Sequence, residues 1–447
     1  MRDILLTVIV SGAALMALGR PFVGILLFTW LGFFYPQSYT WGFGRGLPFS
    51  QIGAIATIAG YVVSKEAKKF PITRESILLL CLWAMFGFSS LFAIYPDEAA
   101  DRLIYISKIF LMVFLTMSLV KDRYRLEMLL RVIALSIGFV GIKGAAFVIA
   151  TGGENMVWGP EGSFLESNNS IGLALTMNVP LLYYLWRIET RPWLRKLMIA
   201  MLLGSFPAII CTYSRGAWLG LAMVTVLLFL RNKHKLLVVS AVGLIALVGA
   251  GALSQLLPER LFTRYDQLEN YKEDSSAESR FWSWEFCKRV GLDRPLTGGG
   301  FNFPSQLTYK QYYPEFAERW GEDKVWTCHS TWLTVFGEHG FPGFIIWISL
   351  LFSSLASLRF VRSYGKLNPE YSWVVPFTEA TQAALVAYML VGTFLDAAYF
   401  DMFYYLVGMV IVVKEMVRVA YRTKVLNPLT ASTPVLGARA PARAFTQ

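Results

Sequence analysis

The chain has 447 residues, of which 55% are hydrophobic and only 16% are charged. Soluble domains carry nearer a quarter of charged residues, so this composition excludes an ordinary soluble protein. The net charge of +11 does not indicate a nucleic-acid partner, because the basic residues lie in short turns between apolar blocks. These blocks have about 20 residues, the length of helix that crosses a bilayer core. The sequence therefore predicts an all-α polytopic membrane protein, with one transmembrane domain over residues 1–425.

The apolar blocks predict about twelve transmembrane helices. Residues 4–34 are apolar except for Gly19-Arg20-Pro21, so they form either two short helices or one broken crossing. The other predicted spans are residues 51–64, 76–95, 103–120, 126–150, 170–186, 197–212, 217–230, 236–256, 341–358, 373–398 and 403–419. We prefer one net crossing in residues 4–34, which gives a cytoplasmic N-terminus; two crossings give thirteen spans and an exterior N-terminus. Residues 426–447 lack apolar periodicity, and we expect them to form a disordered cytoplasmic tail.

The basic turns predict the orientation of the helices. If the predicted helices alternate, six basic clusters fall on one side, at residues 65–74, 121–125, 187–196, 231–235, 359–366 and 414–424. Cytoplasmic loops carry an excess of Lys and Arg, so this side is predicted to be cytoplasmic. Residues 256–340 then lie outside, and their net charge is −3, from 10 basic and 13 acidic residues, against +14 for the rest of the chain. This polar segment, with its short helices, is where polar chemistry is expected.

Two of the three histidines, His329 and His339, lie where this exterior segment returns to the membrane. Residues 331–338 have a helical composition, with Trp332 and Phe336 on one face. A histidine at the mouth of such a helix can act as a general base, because an ordinary imidazole is mostly neutral at pH 7. It can equally be an interfacial histidine that bonds a loop carbonyl. His339 faces another direction, and the spacing does not match a zinc pair, so we predict no metal site.

Two arginines are candidates for binding an anion. Ser214 is a predicted N-cap, which places Arg215 in the first turn of a helix. The free amides, the helix dipole and the guanidinium together suit a diphosphate, although snorkelling to lipid headgroups is an equal alternative. Arg280 lies in an aromatic stretch and is the second candidate, unless that stretch forms an amphipathic helix on the membrane. Arg264 is a weaker candidate of the same type.

Four other charged residues need an explanation. Lys108 and Lys143 fall inside predicted spans, and intramembrane charge usually faces the protein interior or a water-filled cavity. Lys108 can also snorkel to the membrane surface. Asp396 and Asp401 flank the outer end of the predicted span at 373–398, where they form a general base or metal pair, or a solvated turn.

The exterior segment also contains a glycine run and two cysteines. Gly298-Gly299-Gly300 predicts a tight turn and not a phosphate loop, because no Gly-Lys-Ser/Thr follows it. Cys287 and Cys328 are both predicted to be outside, where oxidation is possible. A disulfide between them is allowed, but the sequence does not require it.

The spacing of the polar motifs resembles that of a known family. His329-Ser330, nine residues and then Gly340-Phe341-Pro342-Gly343 is similar to the signature of the bacterial O-antigen ligases and their Wzy-C relatives. Ser214-Arg215-Gly216 resembles the arginine motif of that family, and Arg280 matches its second arginine. The resemblance covers roughly residues 170–406. The N-terminal part also looks like an exosortase-associated branch of O-glycosylation ligases.

The resemblance implies a metal-independent, inverting glycosyltransferase of lipopolysaccharide biosynthesis that needs no cofactor. Such multi-pass enzymes of the bacterial inner membrane have a periplasmic active site. They transfer a glycan from undecaprenyl diphosphate, which lies among membrane lipids, to a hydroxyl of lipid A–core oligosaccharide. In this role His329 is the general base, and Arg215 and Arg280 bind the diphosphate. The weaker candidates are Lys108, Lys143, Arg264, His339 and Asp396.

Three alternatives remain at this stage. A Wzy-type O-antigen polymerase uses the same donor with a glycan repeat as acceptor, and a protein O-oligosaccharyltransferase uses a serine or threonine of a protein. A transporter of lipid-linked glycans is a more distant alternative. A transporter would favour an internal repeat, and the sequence shows none.

Overall fold

Helices form all the regular secondary structure within the described residues, which confirms the all-α prediction. The structure is a computed structural model, and it describes residues 1–66, 68–231 and 275–426. In chain order the α-helices are α1 Arg2–Gly19, α2 Pro21–Phe33, α3 Phe49–Val63, α4 Arg74–Leu91, α5 Pro96–Leu119, α6 Arg123–Ala150, α7 Asn168–Ile188, α8 Pro192–Ile210, α9 Arg215–Arg231, α10 Ser275–Asp293, α11 Gln306–Tyr312, α12 Pro314–Trp320, α13 Thr331–Leu367, α14 Val374–Gly392 and α15 Asp401–Leu426. Short 3-10 helices lie at Pro36–Tyr39, Phe43–Arg45 and Pro369–Tyr371.

Many of these helices can cross a membrane. Within the described ranges, eight helices are long and apolar enough to do so, namely α1, α4, α5, α6, α7, α8, α13 and α14. The helices α2 and α3 are apolar but shorter. This is the pattern of a multi-pass membrane protein, while the count of twelve crossings stays a prediction. The predicted span at 236–256 and nearly all of the predicted tail at 426–447 lie outside the described residues.

Burial separates central helices from peripheral ones. In the most apolar stretch of α7, 78% is buried inside the protein, whereas in that of α1 only 22% is buried. The apolar surface of α1 therefore faces outward, as expected for a helix that contacts lipid. The buried face of α7 carries polar groups with partners, including Asn178, whose amide donates to the Ala134 carbonyl at 3.0 Å.

Side-chain caps explain why several helices begin before the predicted apolar blocks. At the start of α4, Thr73 and Ser76 form a reciprocal capping box. At the start of α6, the Asp122 carboxylate accepts a hydrogen bond from the Arg125 amide at 2.8 Å. Such caps satisfy amides that the first helical turn leaves without partners. A helix can therefore extend past the apolar block into polar sequence.

The first two helices form a hairpin. The Asp3 carboxylate at the start of α1 accepts hydrogen bonds from the amides of Gly42 and Gly44 at 3.0 and 2.9 Å, so the N-terminus lies beside the loop that follows α2. At the other end of α1, Ala17 packs where Gly24 of α2 and Gly60 of α3 have no side chain. Residues 4–34 thus run down and back, which supports two crossings over the single net crossing that the sequence analysis preferred.

Ion pairs bring the basic turns together at one end of the helix bundle. Arg125 pairs with Glu66 at 2.8 Å, and Lys414 pairs with the buried Glu75 at 2.7 Å. These pairs join turns that are more than 50 and 300 residues apart in sequence, as alternating helices require. The assignment of this end to the cytoplasm stays a prediction.

The glycine run lies at the opposite end and packs against a break in α13. Gly340 has φ 63° and ψ −164°, so the helix is interrupted between His339 and Phe341. The amides of Gly299 and Gly300 donate to the carbonyls of Gly337 and Glu338 at 2.7 and 3.0 Å. A methyl group on Gly300 would lie 2.2 Å from Cβ of Ala93, so no other residue fits there. The run is a packing element, which agrees with the predicted tight turn.

We predict that residues 275–330 face outside the cytoplasm and that Trp41 is on the same side. A single cysteine at the exposed Asp323 or at Trp41, which is 83% exposed, should react with a membrane-impermeant maleimide in cells whose inner membrane is intact. A cysteine at Leu367, which is 82% exposed at the other end, is the control and should react only after the inner membrane is permeabilised. The background needs Cys81→Ser and Cys211→Ser alone, because the other two cysteines form a disulfide.

The reverse labelling pattern would overturn the predicted orientation. Labelling of Asp323→Cys and Trp41→Cys from opposite sides would instead contradict the predicted alternation of the helices between residues 41 and 323.

Candidate active site

The loop that carries His329 is fastened to helix α10. Cys287 of α10 forms a disulfide with Cys328, with their Cα atoms 5.9 Å apart. One turn earlier, the Trp284 indole donates to the His329 carbonyl at 3.4 Å. Arg280 lies a further turn along the same face, because residues four apart stack on a helix surface. The disulfide that the sequence only allowed therefore holds the candidate base beside the helix that carries the candidate arginine.

His329 has an unusual backbone conformation and a shifted pKa. Its φ of 46° is in the left-handed region, which is uncommon for a residue other than glycine. Such conformations persist only where the surroundings hold them, and here the disulfide and the Trp284 contact do so. The half-buried position lowers the pKa of the His329 imidazole, and the nearby positive charge of Arg280 lowers it further. A lowered pKa keeps the imidazole neutral, which is the form that can accept a proton.

The loop between α14 and α15 closes over the start of α13. The Thr331 hydroxyl donates to the Leu395 carbonyl at 2.8 Å and accepts from the Ala397 amide at 3.2 Å. These bonds hold Asp396 near the Thr334 hydroxyl. The surrounding protein limits the access of bulk water and raises the pKa of Asp396, although its side chain is open to a cavity. The predicted span at 373–398 ends at Gly392 because this loop turns into the site instead.

Arg215 begins α9, as the sequence predicts. The Ser214 side chain accepts a hydrogen bond from the Ala217 amide at 3.4 Å, which agrees with the predicted N-cap. Arg215 is half-buried. A Cβ atom built on the neighbouring Gly216 would lie 3.7 Å from Cβ of Phe394, so the start of α9 contacts the loop that follows α14.

Phe394 connects the parts of the site. Its ring lies 6.2 Å from the Trp284 ring, and its Cβ lies beside the start of α9 at Gly216. Trp284 in turn contacts His329. The sequence-predicted residues Arg215, Arg280 and His329 are therefore brought to one region around this loop, although they lie up to 114 residues apart in sequence.

A polar cavity of about 560 Å³ lies beside this region. Its wall contains three carboxylates, Glu338, Asp396 and Asp401, together with Arg102 and Tyr399. Its other lining residues are Tyr105, Gly162, Ser163, Phe164, Ser170, Asn302, Thr327, Ala397, Ala398 and Phe400. The volume falls in the range of pockets that bind small molecules. Thr327 connects the cavity to the His329 loop, two residues further along the chain.

The weaker candidates lie elsewhere or outside the described residues. Lys108 and Lys143 are both exposed, and the Lys143 ammonium sits 4.8 Å over the Tyr39 ring. Arg264 lies outside the described residues. His339 is fully buried and does not line the cavity. Within the ranges that the structure describes, no group of three or more potential metal-ligating side chains is found.

Three cavity residues were missed by sequence reasoning. From the sequence alone, Arg102 is an ordinary basic residue in the first turns of α5. Glu338 is likewise an ordinary polar residue on a helix. Tyr399 is one of 21 tyrosines. The available signal for Glu338 was a carboxylate inside an otherwise apolar helix, because buried charge needs partners.

Comparison with protein families divides the chain in two. Residues 1–190 match a family of unknown function (DUF5935), and residues 197–348 match the family described as O-antigen ligase. The second match includes Arg215, Arg280 and His329. No curated protein matches the chain.

We predict that Arg280→Gln raises the pKa of His329, because the substitution removes the adjacent positive charge. Arg280→Lys keeps the charge and should leave this pKa lower than in the glutamine variant. The chain has only three histidines, so ¹³C- and ¹⁵N-histidine labelling gives a spectrum in which His329 can be titrated by NMR. Equal His329 pKa values in the wild type and in Arg280→Gln would show that Arg280 does not act on this ring.

Proposed function

We propose that this chain, whose residues 197–348 match the O-antigen ligase family, transfers a glycan from undecaprenyl diphosphate to a hydroxyl of lipid A–core oligosaccharide. The reaction would take place at the periplasmic face of the bacterial inner membrane. The observation that carries this proposal is the gathering of His329, Arg280 and the start of α9 around one loop, next to a polar cavity.

In the proposed mechanism the acceptor hydroxyl attacks the anomeric carbon from the side opposite the diphosphate. A new carbon–oxygen bond forms, and the bond from the anomeric carbon to the diphosphate oxygen breaks with its electron pair on that oxygen. His329 takes the proton of the attacking hydroxyl. The lowered pKa of its imidazole supports this role, because the ring is then neutral at physiological pH. Configuration at the anomeric carbon is inverted.

Arg215 and Arg280 would bind the diphosphate and stabilise the charge that develops on it as it leaves. At the start of α9, the guanidinium of Arg215 lies near the positive end of the helix dipole and the first amides of the helix. This arrangement suits phosphate oxygens. Donors fixed at a site of developing charge usually make the largest electrostatic contribution to catalysis. The planar guanidinium can contact two oxygens at once, which an ammonium cannot.

The proposal is tested by incubating purified protein with undecaprenyl-diphosphate glycan and three separate acceptors. These are lipid A–core oligosaccharide, a second glycan repeat, and a serine- and threonine-containing protein. We expect a product only with lipid A–core oligosaccharide. A product with the glycan repeat or the protein identifies a polymerase or a protein O-oligosaccharyltransferase, and release of intact donor across a vesicle membrane identifies a transporter.

We predict that Arg215→Ala and Arg280→Ala each lower the transfer rate by roughly 10²–10³ while the protein still inserts. Lysine at either position should restore the rate only in part. Arg289→Ala is the matched control, because Arg289 lies on the same helix as Arg280, pairs with Glu285 and Glu315, and is not a proposed ligand of the diphosphate. Near-normal turnover of both site variants would remove the proposed diphosphate clamp.

We predict that His329→Ala abolishes transfer and leaves donor binding largely intact, since the arginines still hold the diphosphate. Added imidazole should restore part of the activity, because it can replace the missing base. Asp396→Asn should keep measurable transfer, and EDTA should have little effect on the wild type. A fully active His329→Ala enzyme, loss of all transfer in Asp396→Asn without loss of donor binding, or strict metal dependence would contradict the mechanism.

A further inference from the structure

A chain of hydrogen bonds runs from the buried side of α13 to the cavity wall. The Ser89 hydroxyl lies 2.6 Å from Nδ1 of His339, and Nε2 of His339 lies 2.6 Å from the Tyr399 hydroxyl. The same hydroxyl bonds to Oε2 of Glu338. Oε1 of Glu338 accepts from the Asn302 amide at 3.1 Å. Four side chains from three elements are thus connected in one line.

The two ends of this line have different surroundings. His339 is fully buried between the rings of Phe86 and Phe301, with centroid distances of 4.4 and 4.7 Å. Glu338 and Tyr399 line the cavity. A change at the cavity wall can therefore reach a histidine that the cavity does not contact.

The number of protons on these side chains restricts the directions that the hydrogen bonds can take. A neutral imidazole has one N–H and one acceptor nitrogen, and a tyrosine hydroxyl has one proton to donate. If Glu338 is ionised, it can only accept, so Tyr399 donates to it and must accept from Nε2–H of His339. Nδ1 of His339 then accepts from Ser89.

If Glu338 is protonated, every bond reverses. Its acid O–H donates to the Tyr399 oxygen, and the Tyr399 hydroxyl donates to Nε2 of His339. His339 then carries its proton on Nδ1 and donates to Ser89. Ser89 is free in this arrangement to donate to the Phe86 carbonyl, which lies 3.1 Å away. Both arrangements satisfy all of the buried groups, as buried polar networks require.

We propose that Glu338 binds a hydroxyl of the glycan in the cavity, and that His339 is a positioning residue that holds Glu338 through Tyr399, with its tautomer tied to the protonation state of Glu338. The assignment of the ligand as a glycan rests on the proposed function. Each Glu338 oxygen makes one hydrogen bond inside the protein, which leaves acceptor capacity for a sugar hydroxyl in either protonation state.

Other charged groups face the same carboxyl. Asp396 and Arg102 interact with Glu338 across the cavity, and Asp401 lines the same wall. Tyr105 and Tyr399 are the titratable hydroxyls there, and the Arg102 guanidinium lies 5.7 Å from the Tyr399 ring. These neighbouring charges also influence the protonation state of Glu338, so the experiment measures that state directly.

Glu338→Gln gives a defined expectation. The Asn302 amide needs an acceptor, so it turns the glutamine carbonyl toward itself and the glutamine NH₂ toward Tyr399. Tyr399 then accepts from this NH₂ and donates to Nε2 of His339, which fixes the Nδ1–H tautomer. Tyr399→Phe removes the connecting hydroxyl and is the matched control, because it leaves Glu338 and His339 in place.

The experiment is NMR of the full-length protein in lipid nanodiscs, labelled with ¹³C and ¹⁵N in histidine and glutamate. The ¹³C shift of the Glu338 carboxyl reports its protonation state, and the two ¹⁵N shifts of His339 report its tautomer in the same sample. We expect Nε2–H whenever Glu338 is a carboxylate, and Nδ1–H whenever it is an acid or is replaced by glutamine. In the Tyr399→Phe background, Glu338→Gln should not change the tautomer.

Any other pairing of carboxyl state and tautomer overturns the coupling, and so does a doubly protonated His339. A tautomer change that survives Tyr399→Phe would also overturn it. These measurements need no substrate, so they stand even if no glycan is transferred.

The glycan contact is tested separately by kinetics. In an enzyme that transfers glycans, Glu338→Gln and Tyr399→Phe should raise KM for one glycan substrate roughly tenfold, because the hydrogen bond between residue 338 and the sugar hydroxyl is weakened or misaligned. His339→Gln should retain more affinity than His339→Ala, since its amide can still bond both neighbours. An unchanged KM in Glu338→Gln would remove the contact, whereas an inactive wild type would count against the proposed function itself.

Discussion

The site depends on a close contact between two backbones, the glycine run at 298–300 and the broken helix at Gly340. Hydrogen bonds from Gly299 and Gly300 to the carbonyls of Gly337 and Glu338 replace part of the helical bonding that the break removes. The Phe341 amide similarly donates to the Pro295 carbonyl at 2.8 Å. Backbones approach this closely only where side chains are absent, so the glycines at both surfaces are a steric requirement. The result is a short helix, residues 331–339, that is set at its own angle to the rest of α13.

This short helix positions His329 at its start and the Glu338–His339 pair at its end. His329 and Ser330 lie immediately before it, and the disulfide to Cys287 ties that end to α10. Glu338 and His339 form its last turn, where Glu338 lines the cavity and His339 packs against the buried Phe86 ring of α4. Gly343 lies just beyond, and a methyl group there would approach Cβ of His339 to 2.3 Å. Gly343 of the His329–Gly343 signature thus leaves room for the His339 side chain.

Local sequence signals predicted the helices and the ends of the site, but not the contacts between distant elements. The apolar blocks, the Ser214 cap and the start of a helix at Thr331 depend on neighbouring residues, and within the described residues helices lie over these blocks and begin at Arg215 and Thr331. The partners of Glu338 come from residues 302 and 399, and such a combination has no local pattern. Pairing of Cys287 with Cys328 likewise depends on the packing of α10. Residues 4–34 were ambiguous because the turn at Arg20 suits either a break or a hairpin, and the Asp3 contacts favour the hairpin.

The local environments also change the relative proton affinities of the two candidate bases, His329 and Asp396. The pKa values of ordinary aspartate and histidine side chains differ by more than about two units. The pH at which activity falls on the acid side of a pH–rate profile would then distinguish the two bases. Here the pKa of His329 is lowered and that of Asp396 is raised, which brings their proton affinities closer together. Position then decides between them. A diphosphate bound at Arg280 would offset the positive charge that lowers the pKa of His329, so the imidazole becomes more basic once the donor is in place. Asp396 faces the cavity with Arg102 and gains no such increase from the arginine clamp, which favours His329 as the group that accepts the acceptor proton.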